Sequence, residues 1–328
     1  MSQAQPADAE KLLTERALAS DIAGPRPDPP GKATEVNISM YLYDVSKING
    51  ANQNFDTDFQ IVYRWLDPRL ASNENKIRQF SVDEIWNPLI NIMNFREVKP
   101  LRKDQVFVDS KGHCVYTQRY LAKFTVPLNL KDFPGDKHRL YIQARSLYGP
   151  DEVKLVIDRK ITGMSNILSI PDWTISKSEA EINTFSANPE KQEMAQMEFS
   201  FRIQRLLGFY FWKIILPLCL IVLMSWGVFW IDPKRLESQV PLSATAVLTL
   251  IAFQFAISGL VPHVSYLTRM DKFTVLSSVL IFLALIVAIL TAYCTKREWH
   301  DKALVVEQFS RVIFPLVFAA VVYYSFFA

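Results

Sequence analysis

The sequence predicts an all-β, immunoglobulin-like sandwich followed by a four-helix transmembrane domain. Charge is divided unevenly: of the 36 basic and 33 acidic residues, only 9 basic and 6 acidic follow Arg205. Four long apolar segments fill that charge-poor part, three of them meeting the roughly 20 residues a helix needs to cross a bilayer. Between Val36 and Arg205 the apolar residues instead alternate with period two, in short runs separated by turn signals.

Residues 1–35 read as an N-terminal extension with a possible short helix, Ala9–Ser20, and a proline-rich linker, GPRPDPPGK. They hold no apolar signal-peptide core, so the expectation is a signal already removed or another export route. Residues 36–205 form the sandwich. Alternation is clearest in Asn54–Trp65, where Phe59, Ile61, Tyr63 and Trp65 share a face, and it recurs in His113–Val126, His138–Tyr148, Val153–Arg159 and Glu193–Arg205. Lys111-Gly112, Pro134-Gly135 and Gly149-Pro150 mark turns between them.

Residues 206–328 form the membrane domain, with helices expected at about 208–230, 238–261, 273–294 and 309–327; the last needs Phe309–Arg311 as an interfacial collar. The links after the first and third segments carry Lys234, Arg235, Lys296, Arg297 and Lys302, with Arg311 at the end of the second link. The positive-inside rule puts both links in the cytoplasm, so the sandwich and the C-terminus lie outside. The second segment has spaced small polar residues, Ser238, Ser243, Thr245, Thr249, Gln254 and Ser258, which suit either water or a neighbouring helix.

Composition excludes other classes. The 54 charges of residues 1–205 are balanced, leaving no basic stripe for nucleic acid. Cys114, Cys219 and Cys294 are too dispersed for a metal motif or a disulfide framework. The histidines are scattered, and no phosphate loop, nucleophile elbow or dinucleotide fingerprint occurs, so neither enzyme nor cofactor is expected.

Several motifs resemble those of the pentameric ligand-gated ion channels, the Cys-loop receptor superfamily, in its prokaryotic branch. Trp65-Leu-Asp67-Pro-Arg69-Leu70 is similar to the family's W-x-D-x-R-L, and Trp86-Asn-Pro88 to its W-x-P. Residues 127–136, PLNLKDFPGD, resemble the signature loop without its flanking cysteines. Val240–Thr249 resembles the pore helix, Pro262–Asp271 the link to the third helix, and Ser310–Pro315 the start of the fourth. The third link, about 18 residues, leaves no room for the large intracellular domain of animal receptors.

The resemblance implies a homopentamer in the cell (inner) membrane, in contact with lipid, whose second helix lines a pore. Glu237, Ser238, Pro241, Thr245, Leu248, Ala252, Phe255 and Gly259 would face the lumen, with Leu248 and Phe255 as apolar gates that expel water when narrow. A Glu237 ring favours monovalent cations, and no Pro-Ala insertion typical of anion channels is present. Coupling would pass through Asp136, Arg205, Pro134, Pro262 and Tyr266. The agonist, an unknown small molecule or protons, would bind among Met93, Arg145, Tyr148 and Phe185 of one subunit and Gln60 and Tyr63 of its neighbour. The aromatic box that would hold an amine is incomplete there. A membrane-anchored β-sandwich that binds or senses without conducting is the alternative.

Overall fold

The computed structural model describes residues 24–186, 193–232 and 236–327, the side chains of 236–238 excepted. The helix expected at Ala9–Ser20, and Lys234 and Arg235, lie outside the described residues. The chain forms two compact units: residues 1–128 with 137–203, and residues 129–136 with 204–328. The signature loop, placed with the sandwich by its position in the sequence, therefore clusters with the helices. Its ring and ion-pair contacts, given below, are the reason.

The first unit is built of β1 (Thr34–Asn49), β2 (Asn54–Leu66), β3 (Arg78–Ser81), β4 (Ile90–Ile92), β5 (Phe95–Pro100), β6 (Gln105–Val108), β7 (His113–Thr125), β8 (Lys137–Ser146), β9 (Val153–Ile157), β10 (Gly163–Met164), β11 (Trp173–Ser186) and β12 (Glu193–Arg205). One sheet runs β10-β1-β2-β7-β6-β3, with β9 also on β1 and β5 also on β7; the other runs β11-β12-β8-β4. β1 starts at Thr34, inside the expected linker, because Thr34–Ile38 pairs in parallel with Val153–Ile157.

Alternation along β2 sends Phe55, Phe59, Ile61, Tyr63 and Trp65 inward. Phe55 stacks on Phe124 of β7 at 5.5 Å and meets Phe201 of the other sheet edge-on at 6.1 Å, so one ring ties the two layers. Burying such a ring contributes about 2 kcal/mol. Asn94, at φ +48°, holds the sheets from a second side: its Nδ2 donates to Thr125 O on β7 and Tyr141 O on β8. Asn tolerates this left-handed conformation better than a branched residue.

The Trp-x-Asp motif makes a corner. Buried Asp67 accepts from Arg69 through its backbone N, Nε and Nη2 at 3.1, 2.8 and 2.7 Å, fixing the turn Pro68–Leu70. Asp67 N donates to Gly112 O at 2.9 Å, and Gly112 sits at φ +85°. A Cβ on Gly112 would stand 2.4 Å from Asp67 O, so the corner admits no side chain.

The second unit carries four helices long and apolar enough to cross a membrane, α1 (Gly208–Trp230), α2 (Leu236–Ile257), α3 (Arg269–Lys296) and α4 (His300–Phe326). α1 opens with a wide π-type turn over Phe211–Ile215, just before Pro217, whose ring cannot donate to the preceding turn. α2 ends at Ile257 rather than near 261, passing into turns ahead of Pro262. α4 begins at His300 rather than near Phe309, leaving only residues 297–299 as a link; Ala303 and Glu307 bury the added turns. α3 starts with a capping box in which Thr268 and Asp271 satisfy each other's backbone N–H.

Gly112→Ala is expected to lower stability by about 2 kcal/mol or more, read as a fall in Tm on thermal unfolding. Gly31→Ala, also at positive φ but with nothing within 4 Å of the added Cβ, should cost clearly less. Equal losses would show that backbone strain alone, and not the contact with Asp67, makes Gly112 necessary.

Candidate functional site

α2 has two faces. Pro241, Thr245, Leu248, Ala252 and Phe255 are exposed along one stripe, at spacings of three and four, with Gly259 exposed in the turn beyond. Leu248 is 66% and Phe255 77% exposed, beside neighbours as buried as Val247 and Leu250. The Glu237 and Ser238 side chains lie outside the described residues. Thr245 Oγ1 donates to Pro241 O and Thr249 Oγ1 to Thr245 O, both at 2.8 Å. With their protons spent on the backbone, these hydroxyls present only acceptor lone pairs outward.

The opposite face of α2 is held by side-chain bonds. Gln239 Nε2 donates to Ile231 O at 2.9 Å and to Glu307 Oε1 at 2.6 Å. Ser243 Oγ turns back to Gln239 O, and Gln254 Nε2 donates to Ser278 Oγ of α3 at 2.8 Å. The polar residues of this segment thus divide, some facing helices and some facing outward. Sequence reasoning missed Glu307, and placed its i+4 neighbour Arg311 only as a basic residue at the end of a link; Arg311 Nε donates to Phe229 O at 2.7 Å. The signal was an acid within an apolar run, overlooked because the helix was expected to start after it.

Of the expected coupling residues, Asp136, Pro134, Arg205 and Tyr266 meet in or on the loop 129–136. Arg205 forks onto Asp136, Nε to Oδ1 at 2.8 Å and Nη2 to Oδ2 at 3.0 Å, with the Asp136 side chain fully buried. Arg205 Nη1 donates to the Tyr210 hydroxyl at 3.2 Å, and the guanidinium carbon lies 5.0 Å from the Phe133 ring. Burial pulls the Arg205 pKa down, but the Asp136 hydrogen bond and charge outweigh it and raise it overall. Phe133 meets Tyr210 edge-on at 4.9 Å. The Tyr266 hydroxyl accepts from Leu130 N at 2.9 Å. Arg269 pairs with Asp132 at 2.9 Å, a contact that sequence reasoning did not foresee. Pro134 follows Phe133 through a cis peptide, and Pro262 is half-buried in the link after α2.

The expected ligand residues are only partly assembled. Arg145, 5% exposed, directs Nε and Nη2 to Gln196 Oε1 at 2.9 and 2.7 Å, and its guanidinium carbon lies 3.3 Å from the Phe185 ring centre. Burial alone accounts for its pKa, pulled down to about 10. Met93 is half-buried beside this strand, its N bonded to Gln143 O, while Asn91 pairs with Arg145. Tyr148 is packed inward, its hydroxyl accepting from Trp86 Nε1 at 3.2 Å. Gln60 lies on the other sheet and accepts from the Tyr43 hydroxyl at 3.4 Å. Tyr63 does not join it. Three residues on, it faces the opposite side of β2, buried and stacked on Tyr116 at 5.1 Å, so period-two geometry removes it from the expected neighbour surface.

Removing Arg205 leaves the Asp136 carboxylate buried and unpaired, so Arg205→Ala is expected to cost about 3–5 kcal/mol of stability. Arg205→Ala with Asp136→Ala should cost less than Arg205→Ala alone. A double-mutant cycle followed by thermal unfolding checks both values; additive losses would mean the two side chains do not act as a pair.

Residues 16–207 match the neurotransmitter-gated ion-channel ligand binding domain, and residues 214–304 the neurotransmitter-gated ion-channel transmembrane region. The chain is 23% identical over 304 residues to the proton-gated ion channel of Gloeobacter violaceus, covering 91% of this chain and 84% of that protein. A sandwich with the Trp65–Leu70 corner, the loop 129–136 closed on Arg205 and four membrane-spanning helices fit both matches in order. The chain belongs to the neurotransmitter-gated ion-channel family, the pentameric ligand-gated channels, and is a multi-pass membrane protein.

Proposed function

We propose that this protein is a homopentameric, cation-selective channel whose pore is lined by α2. The observation that carries it is the stripe Pro241, Thr245, Leu248, Ala252, Phe255, which is exposed while Ser243, Ala246, Val247, Leu250 and Ile257 on the opposite side are buried, with α1 and α3 packed against α2. Five copies around an axis would turn this stripe into rings. Leu248 and Phe255 make apolar constrictions that dewet when narrow, and a small outward tilt of α2 rewets them.

Two features favour cations. The Thr245 oxygens offer lone pairs and no protons to the lumen, which suits a cation and gives an anion no donor. At the cytoplasmic mouth, a ring of Glu237 carboxylates concentrates cations. The basic links support an orientation with the sandwich and C-terminus outside the cell (inner) membrane.

The agonist site lies at the subunit interface around Arg145, Phe185 and Met93, with Gln60 from the neighbour. A guanidinium at its centre repels an ammonium ligand, so the trigger there is an anion or a proton. Protons are the first to test, because the Gloeobacter violaceus relative is proton-gated. Motion passes to α2 through Asp136, Arg205, Pro134, Pro262 and Tyr266.

Reconstituted protein in planar bilayers should conduct when the outer solution is acidified or a small carboxylate is added. In a salt gradient its reversal potential should follow the cation; a potential following chloride overturns the selectivity. Leu248→Ser should conduct without agonist, or with about tenfold less of it, since the constriction then stays wet. Silent protein under all these conditions would favour a sandwich that senses without conducting.

A further inference from the structure

Arg311 of α4 is held against the end of α1 and uses little of its hydrogen-bonding capacity. Its Nε donates to Phe229 O at 2.7 Å, and its own carbonyl accepts from Trp226 Nε1 at 3.1 Å. Glu307 Oε2 stands 3.6 Å from Nη2, close enough for charge attraction but too far for a hydrogen bond. Among the described residues, the N–H groups of Nη1 and Nη2 therefore have no acceptor. The side chain is 29% exposed and neither nitrogen is buried, so these donors reach the surface of the helical unit.

That surface is aromatic at one end and apolar beyond. The Trp230 ring centre lies 5.1 Å from the Arg311 guanidinium carbon and 5.8 Å from Trp226, edge-on. Trp230 is 60% exposed and is the last residue of the first membrane span. The stretch of α4 from Arg311 to Phe326 is only about 22 Å long at 1.5 Å per residue. The hydrocarbon core is roughly 30 Å thick, so Arg311 and Trp230 sit at one edge of it. Toward the middle of the bilayer, Leu220 and Leu223 of α1 and Val312 and Leu316 of α4 are exposed.

Open N–H groups at this depth are costly, because little water is there to accept from them. Glu307 does not fill the need: it is buried and its Oε1 is taken by Gln239 Nε2 at 2.6 Å. The bilayer supplies one acceptor of the right shape, a phosphodiester, whose two free oxygens match the guanidinium fork. A headgroup that also carries an ammonium would bring a second cation to Arg311, which an anionic headgroup does not. Free phosphate has the oxygens but no chains to cover the apolar surface. We infer that Arg311 and Trp230 bind an anionic glycerophospholipid, its phosphate on Nη1 and Nη2 and its acyl chains along the exposed leucines. The orientation proposed above makes this a lipid of the cytoplasmic leaflet. Binding itself rests neither on that orientation nor on conduction, and is measured without current.

The test is native mass spectrometry of the full chain in detergent, titrated with phosphatidylglycerol or with phosphatidylcholine of the same chain length. Phosphatidylglycerol is expected to bind about tenfold more tightly. Arg311→Gln should abolish that preference, while Arg311→Lys, which keeps the charge and loses the fork, should retain about a threefold preference. Because Arg311 also bonds Phe229 O, Trp230→Leu, at an exposed position, is the second variant and should weaken phosphatidylglycerol by about threefold. Equal affinity of the unmodified protein for the two lipids overturns the proposal, as does a preference left intact in Arg311→Gln. Should that variant fail to assemble, unchanged phosphatidylglycerol affinity in Trp230→Leu overturns it instead. Displacement of the lipid by an equal concentration of inorganic phosphate would show a site for a free anion, and would overturn the lipid as its occupant.

Discussion

A guanidinium and a carboxylate are taken out of water together where β12 ends, and the organisation of the helical unit near Gly208 follows from that choice. Asp136 is fully buried and Arg205 nearly so, which is tolerable only while each satisfies the other. Closing the loop 129–136 on Arg205 brings Phe133 against Tyr210 and the Lys131 and Phe133 carbonyls to the start of α3. Arg269 N and Met270 N then donate to those two carbonyls at 2.9 and 3.2 Å. Orphan donors of a helix N-terminus are thereby satisfied by backbone from elsewhere in the chain. The Leu130–Tyr266 and Asp132–Arg269 contacts add further ties, so one segment joins β12, the link after α2, and α3. Its two ends are continuous with the strands β7 and β8.

The polar residues of α2 have separate uses because a bilayer offers no water to those that face a neighbour. Gln239, near the start of α2, is bonded to the end of α1 and to Glu307 of α4; Gln254, nearer its other end, is bonded to α3. Between these attachments, Ser243 turns inward onto its own helix, and Thr245 and Thr249 do the same while remaining exposed. On the channel reading, α2 is anchored by side-chain bonds near both ends, while Leu248, between them, makes none.

Much of this was legible in the sequence because it is periodic or local. Alternation in Asn54–Trp65 identifies β2 and its inward face, and apolar length identifies the membrane segments. The spacing of Pro241 to Phe255 identifies one exposed stripe of a helix. What was not legible depends on contacts distant in the chain. Tyr63 was assigned to the same surface as Gln60, although the two residues are separated by an odd number of steps along a strand and must face opposite sides. Glu307 went unnoticed because a charged residue ends a hydropathy span, whereas here Gln239 and Arg311 allow the helix to continue through it. The signature loop's membership of the helical unit rests on Arg205, Tyr210 and Tyr266, all more than sixty residues away in sequence.

A short strand of the first unit is held against the one that carries Arg145. Arg145 of β8 pairs with Asn91 on β4. Leu89 O accepts from Leu147 N, and Pro88 O from Ser146 Oγ, so the residues just before Asn91 are bonded to β8 and its extension. Beyond Asn91, Met93 N donates to Gln143 O, so β4, only three residues long, is tied to β8 on both sides of its central pair Asn91↔Arg145. Arg145 is thus fixed by backbone pairing to β4 and by its side-chain bonds to Gln196 of β12.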